Sequence, residues 1–247
     1  ISSLRPEAAS ESSGWWKALE HPARFTAQNY QNIFHDHSLR SAFFNTIYIT
    51  VPAVLLVVII ASLAGYAFAW VEFRGREWWF LLVVGLLVVP TQVGLIPIAK
   101  LYNHLHLFGT IEAVVFYHVA FGLPFAVFLL RNFFAGIPKD LLEAARMDGA
   151  SELRIFRKVV LPLGLPAIAS LGIFQFLWVW NDLLIALIFA GPGSQPLTVA
   201  IQQQTRQFGN NIDVLSSAAF VSMIVPLAIF FAFQRFFVQG LLAGSVK

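Results

Sequence analysis

No cysteine occurs among the 247 residues, which excludes a disulfide framework and a thiolate metal site. Charge is scarce too. Only 12% of the residues are Asp, Glu, Lys or Arg, against about 25% in an ordinary soluble domain. A chain so poor in groups for water suits lipid as its solvent. The formal net charge of +3 is too small to point to nucleic acid. No segment alternates apolar and polar residues with period two, which argues against a membrane β-barrel. No G-x-x-x-x-G-K-[ST] stretch occurs, so the chain carries no phosphate loop for a nucleotide. Residues 1–42 lack the basic start and apolar run of a signal peptide.

What is present is oil. Phenylalanine appears 25 times, and the mean hydropathy is +0.72. Five apolar segments stand out, at about 44–70, 78–99, 111–131, 164–190 and 216–238. Each has roughly 20 residues or more, enough for a helix to cross about 30 Å of hydrocarbon. Helices are then the way to satisfy the backbone in lipid. Pro52, Pro90, Pro97, Pro124, Pro166 and Pro226 fall inside these segments. The fold class is therefore all-α, a polytopic transmembrane bundle of kinked helices. It divides into an N-terminal segment 1–42, a membrane domain 43–238 and a C-terminal tail 239–247. In the N-terminal segment, Trp15 and Trp16 read as a short helix packed on the outer face of the bundle.

Charge orients the bundle. Arg74, Arg76, Arg131, Lys139, Arg146, Arg154, Arg157, Lys158, Arg235 and Lys247 all fall on one side of the five crossings. The connecting loops of the other side hold only Lys100 and Arg206. The positive-inside rule puts the basic side in the cytoplasm, the N-terminal segment outside and the C-terminus inside. An external start without an anchor, and no Met at position 1, lead us to expect one further membrane helix before Ile1.

The longest interruption of the oil is "EAARMDGASELRIFRKVVLP", residues 143–162. Pro138 suits a helix's first turn, and Asp140 and Glu143 suit its positive end. Leu141, Leu142 and Ala145 predict a narrow apolar face, and Gly149 a left-handed stop. Ser151 predicts the cap of a second helix carrying Leu153, Phe156 and Val160, with Pro162 ending it. A solvated connector needs neither ridge nor glycine break, so the pattern over 137–163 reads as a helix–turn–helix docking surface.

Here a resemblance enters. Glu143-Ala144-Ala145, Asp148-Gly149-Ala150, Phe156 and Leu161-Pro162 resemble the EAA loop of bacterial ABC importer permeases. "WVWNDLLIAL" (178–187), "QRFFVQGLLAGSVK" (234–247) and the external "SGWWKALEHP" and "FTAQNYQNIF" resemble the carbohydrate-uptake, maltose-type branch, which imports di- and oligosaccharides. The resemblance covers nearly the whole chain. It implies a permease subunit in the bacterial inner membrane, paired with a second homologous permease and two cytoplasmic ATPase subunits. A sugar would arrive from an external binding protein. It further implies that this subunit is not itself an enzyme and holds no cofactor, ATP and Mg being bound by the partners. The coupling residues would be Glu143, Ala144, Ala145, Asp148, Gly149, Phe156, Leu161 and Pro162, with a C-terminal ATPase contact at Gly240, Gly244 and Lys247. The external segment leans towards α-glucoside members.

For the translocation path, the polar break Thr91–Gln92 beside Pro90 is one candidate. Gln175 and Trp178 offer an amide and a ring face to a sugar. Asn181 and Asp182 are polar groups near a span's outer end, where a structural hydrogen bond competes with sugar contact. His118 reads as hydrogen-bonded within the bundle, and the pairs His35/His37 and His104/His106 as surface residues rather than a metal site. The rival readings are a secondary transporter subunit and a permease for a non-sugar solute. The first would need more spans and charges at mid-membrane.

Overall fold

The computed structural model describes residues 1–6, 9–10, 13–19, 25–208 and 212–245, the side chains of 19, 205–208, 212–214 and 235–245 excepted. Its helices, in order, are α1 (Gln28–His35), α2 (His37–Trp70), α3 (Arg76–Leu86) and α4 (Leu95–His104). Then follow α5 (Ile111–Ala135), α6 (Lys139–Met147) and α7 (Glu152–Trp180). The chain closes with α8 (Leu184–Phe189), α9 (Leu197–Phe208) and α10 (Ile212–Ser245). Among the described residues, α2, α5, α7 and the Leu215–Gln234 part of α10 are long and apolar enough to cross a membrane, and α3 with α4 makes a fifth crossing if counted as one.

That pair corrects the expectation of one helix over 78–99: its two arms meet at 92°. The cause is local. Pro90 has no N–H to give, and a proline pushes the residue before it out of the helical region. Pro90 itself is extended, and a short turn at Thr91–Gly94 leads into α4. At the break, the Thr91 carbonyl accepts from the Tyr117 hydroxyl.

The other spans are capped or extended by identifiable residues. Asp36 Oδ1 accepts from the N–H groups of Ser38 at 2.7 Å and Leu39 at 3.2 Å, so α2 starts seven residues before the apolar run proper. The Thr110 hydroxyl does the same for α5. In lipid a lone hydroxyl needs a partner, and Thr46 and Ser170 find theirs on the carbonyls of Ala42 and Pro166, one turn back.

Three further expectations are corrected. Pro162 does not end the second arm of the hairpin. Over Phe156–Val160 the helix widens to a π-turn, with the Leu161 N–H reaching back to Phe156 O. That wider turn relieves the clash a proline ring would make with the carbonyl four residues back. The arm therefore runs unbroken into the membrane as α7. Residues 239–245, read as a tail, continue α10 to Ser245. The 164–190 segment likewise divides, α7 ending at Trp180 and α8 beginning at Leu184.

Packing centres on α2 against α5, with α7 laid across them. Val57 and Ala61 meet Ala126, Val127, Leu130 and Phe134, and Ala167 and Leu171 close the cluster. Between lipid-borne helices contact and dispersion drive association, so small residues at the seam matter. Gly65 shows this: a Cβ there would stand 3.0 Å from the Arg131 backbone nitrogen. At the opposite end α8 and the Gly109 loop are laced together, Gly191 N donating to Gly109 O at 3.0 Å and Ser194 Oγ at 2.7 Å. The short turn Trp15–Leu19 leaves both tryptophan rings exposed. α3 buries no residue of its own.

Candidate functional site

Two places in the fold carry most of the residues singled out above: the hairpin of α6 and α7, and a cavity between α5 and α7. In the hairpin, α6 ends in a Schellman motif. The Ala150 N–H reaches Ala145 O at 3.0 Å and the Gly149 N–H reaches Arg146 O at 3.0 Å. Gly149 takes φ +74°, a conformation that side chains with a Cβ rarely adopt. Ser151 holds the backbone place of an N-cap, but its side chain makes no capping bond.

The apolar residues of α6 split between two faces. Leu142 is buried, and Ala145 packs half-buried on the same core cluster. Leu141 and Ala144 face outward with Met147, which is 83% exposed. Positions 141, 144 and 147 recur at the helical spacing of three, so they form one outward stripe. Leu141 therefore belongs to the opposite face from the one the sequence pattern assigned, and Met147 joins it. Leu153 on α7 is exposed beside the turn.

Glu143 is exposed and paired with Lys139, Nζ to Oε1 at 2.7 Å. That hydrogen bond holds the Glu143 carboxyl below its ordinary range and lifts Lys139 above its own. The carboxylate thus stays ionised and accessible, available to a cation presented from outside. Asp148 and Gly149 are exposed at the turn. Phe156 is not: it is 7% exposed and its ring lies 5.4 Å from that of Tyr66. Leu161 packs on the same core, and Pro162 is exposed at the start of the membrane stretch. A buried ring supports the hairpin from behind and does not itself meet a partner. Gly240 and Gly244 lie in α10, and Lys247 lies outside the described residues.

The basic end of the bundle gathers here. Trp70 at the end of α2 donates its Nε1–H to Phe134 O near the end of α5, at 2.8 Å. Arg146 of the hairpin donates to Trp70 O at 3.2 Å. Arg131 lies over the Phe80 ring at 4.6 Å.

The cavity, about 290 Å³, is lined by Phe121, Gly122 and Phe125 of α5 and by Leu171, Phe174, Gln175 and Trp178 of α7. Its walls are ring faces, and the Gln175 amide is its polar group. Gln175 is 4% exposed and its Nε2 has no hydrogen-bond partner. Gly122 leaves it room, since a Cβ there would stand 2.6 Å from that nitrogen. The three phenylalanines were not foreseen, although "FGLPF" at 121–125 places two of them at i and i+4.

Beyond Trp178, His118 is fully buried, its ring edge-on to Trp178 at 4.9 Å and its Nε2 3.5 Å from Asp182 Oδ2. Asp182 is largely occupied by structure. Its Oδ1 and Oδ2 accept from the N–H groups of Ile185 and Ala186 at 3.3 and 3.0 Å, and its carbonyl accepts from Thr198 at 2.6 Å. Asn181 is exposed and bonds its own helix end at Leu177 O. Thr91 reaches the cavity indirectly, through Tyr117, whose ring stacks on Phe121 at 4.6 Å. Gln92 is exposed at the break of α3 and α4. Neither Gln92 nor Asn181 lines the cavity. Among the described residues, no three His, Asp or Glu side chains come together as metal ligands.

Comparison with known proteins adds four findings. Residues 25–242 match the family described as "Binding-protein-dependent transport system inner membrane component". The osmoprotective compounds uptake permease GgtD of Synechocystis is 48% identical over all of this chain and 85% of its own length. The alpha-glucoside transport permease AglG of Rhizobium meliloti is 45% identical over 92% of this chain, which spans 61% of that longer protein. In fold, the chain is similar to a crystal structure of a bacterial ABC transporter involved in import of the acidic polysaccharide alginate. The TM-score is 0.79 at 24% identity, over 92% of this chain and 87% of that one.

Proposed function

This chain belongs to the family of binding-protein-dependent transport inner membrane components and is a permease subunit of an ABC importer, and from that premise we propose that it carries a di- or oligosaccharide, in the first place an α-glucoside. The observation that carries the mechanism is the outward stripe Leu141–Ala144–Met147 beside the ionised Glu143. An apolar stripe on a charged, non-membrane hairpin suits a groove in another protein, and Glu143 suits an arginine at the groove's edge. In this reading the groove belongs to a cytoplasmic ATPase subunit, two of which serve this chain and a second homologous permease. ATP and Mg bind there, the external binding protein delivers the sugar, and the basic end of the bundle faces the cytosol.

Sugars present apolar C–H faces and many hydroxyls. The cavity offers flat rings for the first and the unpartnered Gln175 amide for the second. We place part of the sugar's path there, along Gln175 and Trp178, with Thr91 held at its rim through Tyr117. Asp182 and Asn181 shape the outer end of α7. Trp178→Ala is expected to raise the KM for sugar by about fivefold, the loss of one aromatic contact of about 1 kcal/mol. Measuring which sugars stimulate ATP hydrolysis in the reconstituted complex, with and without this substitution, tests the assignment. Stimulation by amino acids but no sugar would reject the substrate class, and an unchanged KM would reject the cavity.

A further inference from the structure

The hairpin is joined to the membrane helices three times. Two joints are covalent, the unbroken run of α7 and the short link over 136–138 from α5. The third is a network between residues far apart in sequence. The Tyr66 hydroxyl of α2 donates to Glu152 Oε2. Arg146 donates through Nε to Glu152 Oε1 at 3.0 Å and through Nη2 to Glu152 Oε2 at 3.4 Å. The same Nη2 donates to Trp70 O at 3.2 Å, and Trp70 passes the connection to Phe134 O at 2.8 Å.

The chemistry of helix ends explains the choice of acceptors. The last four carbonyls of a helix lack intrahelical donors, and a cation is favoured there. Trp70 is the last residue of α2, and Phe134 is one residue from the end of α5. Arg146 thus caps α2, and the Trp70 indole caps α5. A partly exposed Arg–Glu pair alone stabilises little; joined to Tyr66 and to two helix ends, it fixes position. The Tyr66 ring on Phe156 backs the joint with apolar contact.

We infer that Tyr66, Arg146 and Glu152 form a latch that makes α2 travel with the hairpin, so that a pull on the hairpin moves three membrane helices rather than α5 and α7 alone. These are positioning residues, and the inference rests on the functional reading above only in who does the pulling.

The test uses the complete transporter with its ATPase subunits. Tyr66→Phe keeps the ring on Phe156 and removes the donor. Arg146→Lys keeps the charge but cannot serve Glu152 and Trp70 O together. In both variants ATP hydrolysis should persist while sugar moved per ATP falls by about threefold or more. A wild-type ratio in the assembled complexes overturns the latch. Should Arg146→Lys fail to assemble, Tyr66→Phe decides alone, and its failure to assemble would mark a folding contact and overturn the latch equally. A second arm needs no sugar. The chain lacks cysteine, so Arg74→Cys with Ser151→Cys takes two spin labels cleanly. Their distance should stay fixed on ATP binding, and widen in distribution with Tyr66→Phe. A distance that shifts in the otherwise unaltered chain overturns the latch. If sugar never stimulates hydrolysis while that distance holds, the functional reading fails and the latch stands.

Discussion

Met147→Asp is expected to release the ATPase subunits from the complex while the permease itself stays folded in the membrane. Met147 is the most exposed residue of the outward stripe at 83%, so the change removes little packing within this chain. In the docked state the balance reverses. Burying a methionine side chain is worth about 1.5–3 kcal/mol, and a carboxylate set in the same groove adds a desolvation cost with no partner provided. A loss of about 3 kcal/mol or more weakens assembly by two orders of magnitude or more. Co-purification of the ATPase measures this directly, with the permease's own thermal stability as the control. Leu141→Asp should act the same way. Leu142→Asp should lose the ATPase only together with the permease's own stability, because that side chain is buried and its replacement unfolds the hairpin.

Gly149→Val is expected to abolish transport with equal force by a different route. Nothing lies within 4 Å of a Cβ built there, so no clash is involved. The cost is conformational: about 1–2 kcal/mol for an L residue in the left-handed region, and more for a β-branched one. The cheapest relief is to break the two backbone bonds to Ala145 and Arg146, which unwinds the last turn of α6. Met147 and Arg146 then leave their places together. Gly149→Asn tolerates the left-handed conformation and should retain most transport. Equal transport by both variants would show that the turn's geometry is irrelevant to coupling.

The membrane helices were legible because run length and hydropathy are local properties, but Pro90 was read as a kink within one span, whereas the arms meet at 92°. The hairpin was legible as far as Gly149. Other features were not, for physical reasons. A proline usually ends a helix, and only a π-turn, which has no sequence signature, carried α7 through Pro162. Adjacent leucines at 141 and 142 lie about 100° apart on a helix, so composition could not say which faces in; the core around Phe134 and Ile155 decided for Leu142. The cavity's phenylalanines read as ordinary membrane oil until α5 and α7 were brought together. Tyr66 and Glu152 are separated by 86 residues, and no local pattern joins them.

If an ATPase grips the hairpin from the cytosol, a single thiol on α6 can report it. In a chain without native cysteine, Ala144→Cys offers one thiol on the exposed face of that helix, open to a photoactivatable crosslinker in intact membranes. The expected result is a crosslink to the ATPase subunit, and protection of the thiol from a membrane-impermeant reagent added outside. Labelling of the same thiol from the external side, with no crosslink to an ATPase, would contradict the cytosolic grip.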